Sequence, residues 1–322
     1  MLTSTQEVAR RIKAGERLLL AAEEEVLDSL PAGNWIGGTT PYFMADTGGI
    51  VSRHAVFVNV VPPEVESVHI ETYDQETISR ICLDTPDNGV SFLILPTASS
   101  VLLEFAQNAP DYDQMHRRPL LGWISGVHLG DLGSKTAKVF DGRTGAVHSD
   151  KGVAMHGRLI PGKKANLGVI NLFQQGDGDV LAFPKVGFHV EDCLVNGEPR
   201  NFAGYLSEKG VDTRVPMVDG FSGSNVSFQT VDAVRGSVDL YAPVFPGMEY
   251  RIAEPISDYL WLFHSALPRG RRIVFSCNCI LNFLYSDLEG KITEGMTGPV
   301  TFGEIAYQLL NQTLVYLSID DD

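Results

Sequence analysis

Apolar residues along this chain recur at alternate positions or in short unbroken runs, and only in a few stretches at the three- and four-residue spacing of a helix. Helical spacing predicts a first helix capped by Ser4, with Val8 and Ile12 on its inner face and Gly15 as its stop. The RLLLA run at 17–21 predicts a short buried strand, and 23–30 a second helix ended by Pro31. Residues 33–44 read as a strand broken by glycines, followed by strands over 51–60 and 69–73 and a short helix over 75–82. The unbroken run VSFLIL at 90–95 has the character of a strand buried on both faces, and 99–107 of a helix capped by Ser99 or Ser100. From 120 to 181 glycine punctuates short apolar stretches. They predict strands over 122–127, 135–140, 152–159 and 165–173, with turns at Asp141-Gly142 and Asp177-Gly178.

The second half repeats the mixture, with strands over 187–194, 227–231, 237–243, 250–253, 271–277 and 314–319. Helices are expected over 202–209 and 256–267, and turns at Asn196-Gly197 and Arg235-Gly236. Strands outnumber helices and most connections are hairpin-like. The fold class expected is α+β, two sheet-rich domains of mostly antiparallel sheets flanked by helices. The stretch GDGDVLAFPK places the boundary between a domain over 1–180 and one over 186–322.

Charge narrows the function. Against 25 Lys+Arg stand 40 Asp+Glu, a net charge of −15, which argues against a nucleic-acid binder because phosphate contacts need a surplus of cations. The one cationic cluster, Arg269, Arg271 and Arg272, reads as a solvated strand edge. With 44% apolar residues the chain has material for a real core, and no window is apolar enough for a membrane-spanning helix. The first residues carry charges and no apolar segment, so a cytoplasmic location is expected rather than secretion. Cys82, Cys193, Cys277 and Cys279 are too sparse for a disulfide scaffold, and the C-x-C pair lacks zinc-finger spacing. The histidines are scattered. His148 and His156 fall on neighbouring strands and His128 precedes Asp131, without metal-ligand spacing, so neither metal nor cofactor is expected.

Motifs in the second half carry a likeness. VEDCLVNGEPRNFAGY at 190–205, Phe245-Pro-Gly247, Val274-Phe-Ser-Cys-Asn278, Phe302-Gly-Glu-Ile305 and the closing segment 311–317 come in that order. Together they resemble the C-terminal part of the FIST domain, a sensory module of bacterial signal-transduction proteins. Segments 33–44 and 122–157 resemble its N-terminal part more loosely. Where that family continues with Gly-Arg after the Phe-Ser-Cys-Asn segment, this chain has Cys279-Ile280, which marks a divergent, stand-alone relative. The resemblance implies a small-molecule-binding sensory module without catalysis, with an amino acid or related metabolite as ligand and a signalling protein as partner. No motif speaks to the oligomeric state.

Candidate ligand contacts follow from both lines of reasoning. In Gly33-Asn-Trp-Ile-Gly-Gly-Thr-Thr40, Gly37 and Gly38 would let backbone N–H groups approach a ligand, Thr39 and Thr40 add hydroxyls, and Trp35 and Tyr42 offer aromatic faces. A bent strand with glycines making room for packing is the structural alternative. Cys277 and Asn278 close a strand; a packed thiol is the default there, and a nucleophile the alternative. Gly303 and Glu304 form the G-E-I element by resemblance, and a carboxylate among apolar neighbours needs a compensating partner. These residues predict a cleft between the two domains lined by Trp35, Tyr42 and Glu304. Two other readings compete: a cofactor-independent hydrolase using Cys277, and a scaffold whose acidic surface binds a basic partner. Ser222 and Ser224 in GFSGSN lack the glycine spacing of a nucleophile elbow and read as loop. Glu23-Glu24-Glu25 reads as a helix first turn, where acids complement the dipole.

Overall fold

Ser4 caps the first helix as its sequence dictates. Its hydroxyl accepts the Glu7 N–H at 3.3 Å, the helix runs Thr5–Lys13, and Val8 and Ile12 are buried beneath it. The computed structural model describes residues 1–322. Strand Leu18–Ala22, buried at every position, lies antiparallel to Val56–Val60 and parallel to Trp35–Thr39. The hairpin Val139–Asp141/Ala146–His148, closed after Asp141-Gly142, extends this first sheet. In a second sheet the apolar run forms strand Gly89–Pro96, also buried throughout, between antiparallel Gly152–Leu159 and parallel Leu120–Ser125. With 41% strand against 19% helix and mostly antiparallel ladders, the fold is α+β.

A third sheet mixes the two ends of the chain. Ile273–Cys279 sits between Leu314–Asp321 and Gly298–Thr301, and Gly298–Thr301 pairs in turn with Tyr42–Ala45. Glu304–Ala306 likewise pairs with Leu120–Ser125 of the second sheet. The compact units therefore do not follow a division into 1–180 and 186–322. One comprises Met1–Ile170, Leu267–Leu309 and Leu314–Asp322; the other comprises Asn171–Ala266 and Leu310–Thr313. The reason is strand pairing, since strands after Leu267 complete sheets begun near the N-terminus. Two expected strands also divide. Pro41 separates Trp35–Thr39 from Tyr42–Ala45, which join different sheets, and Gly187–Val190 and Asp192–Val195 part company at Glu191.

The second unit packs helix Phe202–Lys209 over a core that includes Phe183, Phe202, Phe228 and Tyr250. Asn196 and Gly197, at φ 50° and 88°, make the tight turn between Asp192–Val195 and Glu198–Asn201. The GFSGSN segment is a loop. Asp219 holds it by accepting from the Phe221, Ser222 and Ser224 amides and from the Ser222 hydroxyl at 2.5–2.8 Å. No helix is long and apolar enough to cross a membrane.

Candidate functional site

Parallel strands end at the same level, and that alignment builds the candidate site. Leu18–Ala22 and Trp35–Thr39 run in register, Ala22 opposite Thr39, so Glu23 and Thr40 emerge side by side, and Thr40 N–H donates to the Ala22 carbonyl at 3.0 Å. The carboxyl end of Leu120–Ser125 is stitched to them by Gly126 N–H, which donates to the Thr39 carbonyl at 2.7 Å. Carboxyl ends of parallel strands are where open α/β sheets bind their ligands, and one parallel pair of this α+β fold presents the same edge. Here the three ends enclose a recess of about 10 Å³, room for one water-sized group, lined by Glu23, Thr39, Thr40, Val127, Lys135 and Thr136 among others.

Glu23 is the unusual member. Glu24 and Glu25 point outward to Lys138 and Lys135 at 2.5 and 2.9 Å, whereas Glu23 turns inward and is only 6% exposed. It is the N-cap residue of helix Glu24–Asp28, yet its side chain caps no helix N–H. Arg53 and Lys135 stand 3.9 and 3.7 Å from its two oxygens, but each has a closer carboxylate, Asp131 at 2.8 Å and Glu25 at 2.9 Å. Glu23 Oε1 thus accepts no hydrogen bond. A buried carboxylate oxygen left in that condition is costly, and it favours a donor placed in the recess.

Around it the remaining groups are committed. Thr39 Oγ1 accepts the Lys138 N–H at 2.9 Å, and Thr40 Oγ1 donates to the Val300 carbonyl at 2.7 Å. Tyr42, 4% exposed, accepts the Leu129 N–H at 2.9 Å and stacks on His128, and burial raises its phenol pKa. Of the sequence-predicted residues, Thr39 and Thr40 line the recess. Glu23, Arg53 and Lys135 were not foreseen. The one local signal was an acid placed directly after a fully apolar strand.

The glycine pair serves packing. A Cβ on Gly38 would lie 2.6 Å from Ile94 Cγ2 and 2.9 Å from Trp123 Nε1, and one on Gly37 would meet Trp35 and Leu27. Trp35 is 2% exposed, stacks on Phe140 and donates its indole N–H to the Pro31 carbonyl at 2.9 Å. Cys277, Asn278 and Glu304 also lie inside the first unit, at 1%, 2% and 0% exposure. Trp35, Tyr42 and Glu304, all nearly inaccessible and all within one unit, therefore line no open cleft between halves. Gly303 accepts the Ile124 N–H at 2.8 Å, and Glu304 faces Trp123 across the antiparallel ladder. Asn278 Oδ1 accepts from the Cys279 amide and from Asn282 Nδ2.

Cys277 is a packed thiol. It donates to the Gly122 carbonyl at 3.3 Å, and burial, then the charge of Glu304, push its pKa well above the ordinary thiol value. Such a group is a poor nucleophile. All four cysteines are buried and free. Native protein is therefore expected to give no fast-alkylating thiol with iodoacetamide at pH 8, and four after urea denaturation. A single rapidly modified Cys277 in the folded protein would contradict this placement.

A family model described as a family of unknown function, DUF6976, matches residues 3–320. The chain belongs to that family. No curated protein matches it. Within this DUF6976 member, segment 190–205 lies in the second unit, and 274–278 and 302–305 in the first.

Proposed function

We propose that this protein is a non-catalytic small-molecule-binding module whose ligand places a primary ammonium group in the Glu23 recess, as an amino acid or a related amine would. The observation that carries this reading is the Glu23 carboxylate, buried at the carboxyl ends of three strands with one oxygen accepting no hydrogen bond. The recess admits one such head group, and the body of the ligand lies at its mouth beside Lys135 and Thr136. The FIST-like order of motifs supports the same class of function, a sensory module coupled to a signalling protein.

The test is a thermal-shift screen of amino acids and simple amines on wild-type protein and on Glu23→Gln, which keeps shape and removes charge. A charge-assisted hydrogen bond contributes about 1.5–3 kcal/mol, so the variant should bind roughly tenfold to a hundredfold more weakly while its own Tm stays close to wild type. An amine that raises the wild-type Tm and not that of the variant supports the proposal. No shift with any amine, or equal shifts in both proteins, overturns it.

A further inference from the structure

The strand whose carboxyl end reaches the recess, Leu120–Ser125, has at its amino end a second feature of opposite character. A groove of about 470 Å³ opens there, and its rim carries Arg117, Lys163, Lys164 and Arg271. In a chain of net charge −15, four cations stand on this one rim against two acids, Asp87 and Asp322. Lys163 is occupied, pairing with Asp321 at 2.5 Å. Arg117, Lys164 and Arg271 make no ion pair and no side-chain hydrogen bond, and all three are exposed. Of the two acids on the groove, Asp87 already pairs with Arg118, and Asp322 is the other. Three cations around one concavity, none of them in an ion pair and with Asp322 as the one unpaired acid among them, leave a net positive site that attracts a compact polyanion.

The groove also contains Tyr307, whose backbone is in the left-handed region at φ 62°. That conformation is a genuine outlier for a bulky side chain, and such outliers cluster at ligand sites. The strain is held by the Tyr307 N–H, which donates to the Leu120 carbonyl at 3.0 Å, and by the ring, which lies 5.6 Å from that of His116. The half-buried ring is thereby fixed beside the cations.

We infer that this groove binds a phosphate-bearing small molecule, with Arg117, Lys164 and Arg271 as its phosphate contacts. Guanidinium groups fit phosphate oxygens bidentately and the lysine adds a point charge. The site is distinct from the Glu23 recess and does not depend on it.

Calorimetry with pyrophosphate and with ADP, at an ionic strength of about 0.02 M where exposed charges are least screened, is the test. Wild-type protein is expected to bind pyrophosphate. Arg117→Gln and Arg271→Gln should each weaken binding about tenfold, with unchanged Tm because both side chains are exposed. Glu23→Gln should leave it unchanged, so failure of the recess reading and failure of this one are separable. Tighter binding of ADP than of pyrophosphate, lost in Tyr307→Gly, identifies a nucleotide as the source of the phosphate; equal affinities identify a free polyphosphate. Either supports the site. Absence of pyrophosphate binding at millimolar concentration, or affinity untouched in the Arg117→Gln/Arg271→Gln double variant, overturns it.

Discussion

Between pH 6.5 and pH 5 the protein should lose about 2 kcal/mol of stability through one side chain, His156. His156 is 1% exposed on strand Gly152–Leu159, directly opposite Ser91 and His69 on the two flanking strands. Its Nδ1 lies 2.6 Å from Ser91 Oγ and its Nε2 2.8 Å from Tyr73 OH. Tyr73 OH donates to Asp84 Oδ2 at 2.9 Å, and Thr85 Oγ1 lies 2.7 Å from Ser91. Because the carboxylate can only accept, Tyr73 donates to Asp84 and Nε2–H to Tyr73, and Ser91 donates to Nδ1 when Thr85 gives its proton to Ser91 rather than to the Ile81 carbonyl 3.0 Å away. This arrangement suits a neutral imidazole. Burial lowers the His156 pKa to about 4, the charges of Asp84 and Glu71 oppose that shift, and His69 adds to it.

The sign follows from linkage. In the unfolded chain the imidazole takes its proton near pH 6.5; in the folded protein it does so only near pH 4. As pH falls through that interval the unfolded state binds the proton first, so stability declines, by about 3 kcal/mol in all. Urea unfolding at pH 7, 6 and 5 should show midpoints that fall stepwise. In His156→Gln, destabilised at pH 7, the midpoint should be nearly flat over the same interval. Aspartates held below their ordinary pKa by partners, such as Asp131 beside Arg53, contribute only at lower pH. A wild-type midpoint that does not move between pH 7 and pH 5 would falsify this assignment. The row has the order of a Ser-His relay, but Ser91 at 0% exposure cannot meet a substrate.

A single substitution at Gly122 should have a very large effect. Its φ is +156°, and a Cβ there would stand 1.8 Å from the Leu93 carbonyl oxygen and 2.7 Å from the carbon. The obstacle is backbone of the paired strand, so no side-chain rotation relieves it. Gly122→Ala must push Gly89–Pro96 and Leu120–Ser125 apart at the centre of the second sheet. It also displaces the carbonyl that accepts the Cys277 thiol and the neighbouring Trp123, packed at 5.8 Å against Phe275. Losses above about 4 kcal/mol arise from such core disruption, comparable with the whole stability of an ordinary domain. The variant is expected to accumulate as insoluble or unfolded protein. A soluble variant with a wild-type circular-dichroism spectrum and urea midpoint would refute the packing described.

Local chemistry was enough to specify much of this molecule. The Ser4 and Ser99 caps, the buried runs at 18–22 and 89–96, helix Phe202–Lys209 and the turns at Asn196-Gly197 and Asp141-Gly142 depend on neighbours a few residues away, and each was legible in the chain. Of the candidate recess, only Thr39 and Thr40 fell within a segment the sequence singled out. What the tertiary structure decided was which distant segments meet. Strands after Leu267 pair with strands begun before residue 126, and that pairing, rather than any composition shift at 177–185, defines the compact units. It also decided the roles of single charges. Glu23 differs from Glu24 and Glu25 only in the direction its side chain takes once Thr39 and Gly126 close in around it, and Arg271 differs from Arg272 in having no acid opposite it. Hydrogen-bond satisfaction is a property of long-range neighbours, so a buried carboxylate in need of a donor and a row of unspent cations become visible only when the chain is folded.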